Sequence, residues 1–217
     1  MTDFAKFFDG NIFVINLERR PDRLENFTKE MNRLGIDFER FNAIDAGPNM
    51  GNHGCCASHR AVMDLIVKRG LRRAFVFEDD SIVRSQFRDS FHEAVRAPLR
   101  ELPEDWSIVY LGGGYGDDPQ GWHSRHLIKI NAMKTTSSYG ITAEAARGLR
   151  DYIPEDCGQG IDDIFSGYFA GKQAFICEPR LFIQYNNYSD LQRAVLNNGM
   201  SMEDSGHITR LGKYSPT

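Results

Sequence analysis

Glu78, Asp79 and Asp80 are three consecutive carboxylates that follow directly on Ala74-Phe75-Val76-Phe77. Adjacent negative charges repel one another, and a cation among them relieves that repulsion. Hard oxygen ligands, with one or two carboxylates and the other positions left to water and phosphate, describe a Mg²⁺ or Mn²⁺ site shared with a nucleoside diphosphate. Strand alternation predicts that Glu78 and Asp80 converge on one side while Asp79 points to the other. A solvated acidic turn is the competing description of the same triplet.

These acids need a scaffold, and the residues around them predict one. The apolar run before Glu78 has no polar break, the pattern of a strand buried on both faces, and in open α/β sheets ligands bind outside the carboxyl ends of such strands. Asn11 to Leu17 reads as a second central strand. Pro21 suits a first helical position, Leu24, Phe27, Met31 and Leu34 form an apolar stripe, and Gly35 suits a left-handed cap. A short strand at 38–41 follows, then a loop that continues through Gly47, Pro48 and Gly51 into Gly54-Cys55-Cys56. A helix is predicted from about Ala57 to Arg69. Strand, helix, strand, helix, strand is the cadence of a nucleotide-binding α/β layer.

Further on, Phe87, Phe91 and Val95 predict a helix stopped by Pro98, and strands are read at 107–111, 127–130, 174–177 and 181–184, with the stretch Thr135 to Ile141 following the second of these. Gly112 to Gly114 is read as a place for close approach of backbone to a ligand, and 117–125 as a flap over the cleft. Thr142 is placed as a helix cap, and Asp162 and Asp163 at a helix start, where the dipole favours negative charge.

The chain has 217 residues, 41% hydrophobic and 26% charged, which fits one ordinary domain, assigned to 1–196. The tail 197–217 is rich in Gly, Ser and charge and is expected to be mobile. A net charge of −4 offers no overall field for nucleic acid, although Arg19, Arg20, Arg23 and the stretch 68–73 are locally basic. No signal peptide or transmembrane segment is expected. Four cysteines without CxxC spacing predict a reduced, cytoplasmic chain.

Four blocks stand in order: Val14-Ile15-Asn16-Leu17-Glu18-Arg19-Arg20-Pro21-Asp22-Arg23, then Gly54-Cys55-Cys56-Ala57-Ser58-His59, then Phe77-Glu78-Asp79-Asp80, and Gln184 with Ser189-Asp190-Leu191. Together they resemble glycosyltransferase family 25, which includes bacterial lipooligosaccharide galactosyltransferases and procollagen galactosyltransferases. Asn52 departs from the pattern, since members commonly carry Glu two residues before the Gly-Cys pair. The resemblance implies an α/β GT-A-like single domain with a mostly parallel central sheet flanked by helices. It also implies inverting transfer of a hexose, galactose or glucose in type, from a UDP-sugar to a hydroxyl of a glycan or glycoprotein, with Mn²⁺ or Mg²⁺.

On that resemblance Asp80 is the metal ligand, with Glu78 as a second metal ligand that also faces the ribose, and Asp79 faces the donor sugar. Arg19 and Arg23 meet the diphosphate, Asn16 and Leu17 contact the donor, and Gln184 lies near the metal, where other GT-A enzymes often carry histidine. Ser58 and His59 are read as helix-start donors to the nucleotide, His59 equally as a structural histidine. Asp162 is the expected base and Asp163 the next choice, with helix capping as their structural role. Gly140, Ser137 and Ser138 are placed on the acceptor side. Tyr115, Trp122, Tyr185 and Tyr188 are candidate sugar platforms, and His207 is a weak candidate for any role. Two alternatives remain: a catalytically silent protein of this fold that binds a sugar nucleotide or partner, and a metal-dependent phosphohydrolase, for which no nucleophile motif is evident.

Overall fold

The computed structural model describes residues 1–47, 49–117, 119–185, 187–189, 194–196 and 214. Asp190, Leu191, His207, the side chain of Tyr188 and nearly all of the predicted tail lie outside the described residues.

Helix α1 (Asp3–Phe7) leads into β1 (Ile12–Asn16), α2 (Pro21–Leu34), β2 (Glu39–Asn42), α3 (Gly51–Lys68) and β3 (Arg73–Glu78). Then come β4 (Ser81–Val83), α4 (Phe91–Ala94), α5 (Arg96–Glu101), β5 (Ile108–Tyr110), β6 (Gly114–Tyr115), β7 (Gly121–Trp122), β8 (Leu127–Lys129) and β9 (Met133–Lys134). Strand β10 (Ser138–Thr142), α6 (Ala143–Tyr152), α7 (Ile161–Phe169), β11 (Ala174–Cys177), β12 (Phe182–Gln184), β13 (Asn187–Ser189) and β14 (Ala194–Leu196) complete the order. The main sheet runs β2-β1-β3-β10-β5-β11-β8-β7. Parallel pairing joins β2, β1 and β3, and again β5 and β11, while β10 and β8 run against their neighbours. Six of the eight strands therefore point one way, and the carboxyl ends of β1, β2 and β3 lie side by side.

Alternation along β1 and β3 builds two cores. Phe13, Ile15, Ala74 and Val76 pack with α3, α6 and α7 on one face. Ile12, Val14, Phe75 and Phe77 pack with α1, α2, α4 and α5 on the other. Phe77 alone meets the rings of Phe4, Phe27, Phe75 and Phe182. Helix α2 follows its sequence signals closely: Pro21 opens it, Phe27, Met31 and Leu34 are buried, and Gly35 closes it at φ 61°. The amides of Gly35 and Ile36 return to the carbonyls of Asn32 and Met31, the hydrogen-bond pair that ends a helix in a left-handed residue.

Several expectations are corrected. Helix α3 begins at Gly51 rather than Ala57, so the Gly-Cys-Cys stretch is helical. Gly54 is needed there because a Cβ would lie 2.6 Å from the Ile44 carbonyl oxygen of the loop packed on the helix. Pro98 does not stop a helix but sits in the first turn of α5, where no amide donor is needed. Gly112 approaches backbone rather than a ligand, since its Cβ would lie 2.4 Å from the Phe182 carbonyl oxygen. The expected flap contains β7, hydrogen-bonded at the sheet edge remote from β2. A Cβ on Gly140 would strike the Phe8 ring, and Ser137 and Ser138 are buried, so these three face the interior and not an acceptor. Cys56 and Cys157 form a disulfide, which removes the sequence argument for a reduced, cytoplasmic chain. Among the described residues no helix is long and apolar enough to cross a membrane.

Candidate functional site

The acidic triplet straddles the end of a strand. Strand β3 stops at Glu78, and Asp79 and Asp80 form the turn into β4, which pairs with β12. Glu78 and Asp80 stay within electrostatic reach of each other, as the strand pattern predicts, although their hydrogen-bond partners differ. Asp79 and Asp80 share Arg23, the third residue of α2. Its guanidinium is 3.0 Å from Asp79 Oδ1 and in direct contact with Asp80 Oδ2. Glu78 turns toward α3 and the segment before β10, where Thr136 Oγ1 donates to its Oε1 at 2.6 Å and His59 Nε2 lies 3.3 Å away.

Each of these contacts traces to a neighbouring element. Register places Ile15 of β1 beside Glu78, which brings the next residue, Asn16, to Asp79. Asn16 is buried, and its Nδ2 donates to Asp79 Oδ2 at 2.6 Å and to the Arg20 carbonyl at 3.0 Å, while its Oδ1 accepts from Arg40 Nε. Its amide is thereby committed to holding Asp79 and the loop before α2. On the far side, Gln184 Nε2 donates to Asp80 Oδ1 at 3.2 Å, and the Tyr185 amide donates to the Asp80 carbonyl.

Burial sets the electrostatics. It pushes Asp79 up to about 7, with Arg23 opposing and Asp80 adding repulsion. Burial likewise raises Asp80, with Arg23 opposing and Glu78 reinforcing. At Glu78 burial also pushes upward, but hydrogen bonding and charge from His59, with Thr136 and Arg23, outweigh it and the carboxyl ends below its ordinary value. Asp79 and Asp80 thus share one guanidinium and are raised by burial, and a further cation beside them would favour their ionised forms. The donors of the turn are hard carboxylate oxygens, so the residues fit a Mg²⁺ or Mn²⁺ ion at Asp80. Arg23 Nε is buried and has no hydrogen-bond partner among the described residues, a donor suited to an anion beside that ion.

A hollow of about 480 Å³ lies over the carboxyl ends of β1 and β2, lined by Glu18, Arg19, Asn42, Ala43 and Asp45. Arg19 pairs there with Asp45, and Leu17, half-buried, opens the turn that leads to Arg20. Ser58 is not at a helix start. It is the eighth residue of α3, its hydroxyl accepting from the Ile44 amide at 2.8 Å and donating to the Gly54 carbonyl at 2.7 Å. Its observed contacts tie down the loop that carries Asp45. His59 is buried, with Nδ1 2.8 Å from the Tyr139 hydroxyl.

Asp162 and Asp163 occupy the first turn of α7, as the sequence predicts. Asp162 accepts from the Thr135 amide at 3.3 Å and, by its other oxygen, from the Asp163 amide at 3.1 Å. Gly160 leaves room for this, since a Cβ there would lie 2.7 Å from Asp162 Oδ1. Asp163 is exposed and paired with Lys134. The Cys56–Cys157 disulfide and the bond from Asn52 Nδ2 to the Gly158 carbonyl lash the segment before α7 to α3. Cys55, on the same helix, stands in the field of Glu78, Asp162 and Asp80 together, so the two acidic groups border a common region. Sequence reasoning missed Thr136, Tyr139, Arg40 and Cys55. Only Cys55 had a readable signal, its four-residue spacing from His59 on a helix that was begun too late.

A model of glycosyltransferase family 25 (LPS biosynthesis protein) matches residues 9–50 and 49–110 of the chain. Over 169 residues the chain is 29% identical to a glycosyltransferase 25 family member of Anopheles gambiae, covering 64% of this chain and 28% of that protein. It is also 29% identical over 134 residues to the inactive glycosyltransferase 25 family member 3 of Homo sapiens, covering 50% of this chain and 22% of that one. The chain thus spans under a third of the length of these relatives. Among solved structures it is similar to a glycosyltransferase involved in the glycosylation of the major capsid of PBCV-1, with a TM-score of 0.52 at 9% identity, covering 84% of this chain and 95% of the other. That likeness is one of fold, a GT-A-like α/β domain.

Proposed function

We propose, from the match of residues 9–110 to glycosyltransferase family 25, that the chain is a member of that family and transfers a hexose from a UDP-sugar to a hydroxyl of a glycan or glycoprotein, with inversion at the anomeric carbon. The observation that carries this reading is the turn at the carboxyl edge of the sheet, where two carboxyl groups, Asp79 and Asp80, share one arginine. Asp80 would hold Mn²⁺ or Mg²⁺. The ion supplies Lewis-acid stabilisation of the departing diphosphate, typically several kcal/mol.

The other steps belong to the chain's own side chains. Arg23 and Arg19, on the first turn of α2 and the loop before it, bind the diphosphate through charge-assisted hydrogen bonds. Glu78 takes the ribose and Asp79 the donor sugar, with Asn16 fixing the Asp79 carboxylate. Gln184 orients Asp80. Leu17 borders the nucleotide, and Ser58 supports its loop from behind. Asp162 accepts the proton of the attacking hydroxyl on the face of the sugar opposite the diphosphate, and Asp163 shapes its surroundings through the Lys134 pair.

Donor turnover with Mn²⁺, and its loss in excess chelator, tests the reading; turnover indifferent to chelation ends it. Asp80→Asn is expected to abolish Mn²⁺-dependent UDP binding measured by calorimetry. Asp162→Asn is expected to keep that binding and lower transfer by about 10²–10⁴-fold. Normal transfer by Asp162→Asn would remove it as the base. A second reading, a silent sugar-nucleotide binder, has one observation in its favour: Arg23 already supplies a cation to Asp79 and Asp80. UDP binding that is metal-independent, with no turnover of any UDP-hexose, selects it.

A further inference from the structure

We propose that Cys55, His59 and Glu78 form a zinc site with three protein ligands and an open fourth position, separate from the oxygen-ligand site at Asp80. Cys55 and His59 are four residues apart on α3, so their side chains stack on one helix face. Glu78 meets that face from the end of β3. One donor atom from each, Cys55 Sγ, a His59 ring nitrogen and a Glu78 carboxylate oxygen, lie within 4.8 Å of one another. Sulfur, imidazole and carboxylate together favour Zn²⁺ over Mg²⁺ or Mn²⁺, and three ligands with one position open is the arrangement of zinc that still accepts water or another ligand.

The surroundings hold two of the ligands in place. The Tyr139 hydroxyl, 2.8 Å from His59 Nδ1, directs the opposite nitrogen at Glu78, and Thr136 anchors the Glu78 carboxylate. Metal-binding histidines and carboxylates are commonly oriented by such outer hydrogen bonds. Cys55 belongs to no disulfide and lies among Glu78, Asp80 and Asp162, a surplus of negative charge that favours an incoming cation. The Glu78 side chain is 23% exposed, which leaves a path from solvent. A hydrogen bond between His59 and Glu78 would by itself give Cys55 no part to play. On binding, the Cys55 thiol releases its proton to solvent and Zn–S, Zn–N and Zn–O bonds form; His59 stays neutral with its remaining proton on Nδ1, toward Tyr139. If Glu78 takes the donor ribose as proposed above, zinc and donor compete for it; the site itself does not depend on that reading.

The test uses the full chain, stripped by chelator and kept free of reductant so that the Cys56–Cys157 disulfide stays closed. Cobalt(II) is added as a spectroscopic stand-in, and zinc is then titrated against it with a chromophoric chelator. The expected result is a cobalt–thiolate charge-transfer band, one equivalent of zinc that displaces it, and no displacement by equimolar Mn²⁺. Cys55→Ser should lose the band, while Cys177→Ser and Asp80→Asn keep it, each variant first shown to unfold cooperatively without metal. Tyr139→Phe should bind zinc about 10- to 100-fold more weakly. Absence of the band in the unmutated protein, its survival in Cys55→Ser, or zinc lost only in Asp80→Asn would each overturn the proposal, whatever the protein does with UDP-sugars.

Discussion

The two acidic groups of this chain are built in opposite ways. At the end of β3, Asp79 is buried, Asp80 is half-buried, and both are gripped by residues from β1, α2 and β12. At the start of α7, Asp162 and Asp163 lean on their own helix, one amide at Thr135 and an exposed lysine. The family match to residues 9–110 covers the first group and stops before the second. Burial makes the difference intelligible: a carboxylate removed from water must be partnered from several directions, and those partners fix its position. A carboxylate at a helix start needs few partners beyond the helix dipole.

Breaking the grip on the first group should have the largest effect. Arg23→Ala leaves the buried Asp79 and the half-buried Asp80 without their shared cation, and chemical denaturation should show a loss of about 3–5 kcal/mol. A loss below about 1 kcal/mol would mean that water reaches the turn, and the contrast between the groups would fail. Opening the disulfide by Cys157→Ala should cost roughly 2–4 kcal/mol, since it closes a loop of 101 residues in sequence. Because the bridge holds the segment before α7, it should sharpen the contrast: transfer should fall more than UDP binding does. Equal losses of both would show that the two groups are not independently supported. The smallest effect is expected from Lys134→Ala, which removes only an exposed pair and should change stability by about 0.2–1 kcal/mol in the same assay.

Much of the scaffold was legible because its residues satisfy local rules that tertiary packing does not override. The unbroken apolar run ahead of Glu78 had to be a central strand, and the stripe and Gly35 of α2 marked both ends of that helix to the residue. Thr142 caps α6 by accepting from the Ala145 amide, as read. What escaped depended on partners distant in sequence. Gly54 looks like loop until Ile44 is known to lie against it. The partners of Glu78, Asp79 and Asp80 include Asn16, Arg23 and Thr136, which no strand period encodes. The Cys56–Cys157 bridge joins residues whose spacing matches no motif, and burial of Ser137 and Ser138 follows from the position of β10 in the middle of the sheet.

The short ladder between β4 and β12 has a mechanical consequence. Ser81 opens the strand that leaves Asp80, and Gln184 opposite it both touches Asp80 and ends the strand from which the chain continues toward its C-terminal residues. Displacing the stretch that follows Gln184 would therefore strain the turn at Asp80 through this ladder and the Gln184 side chain.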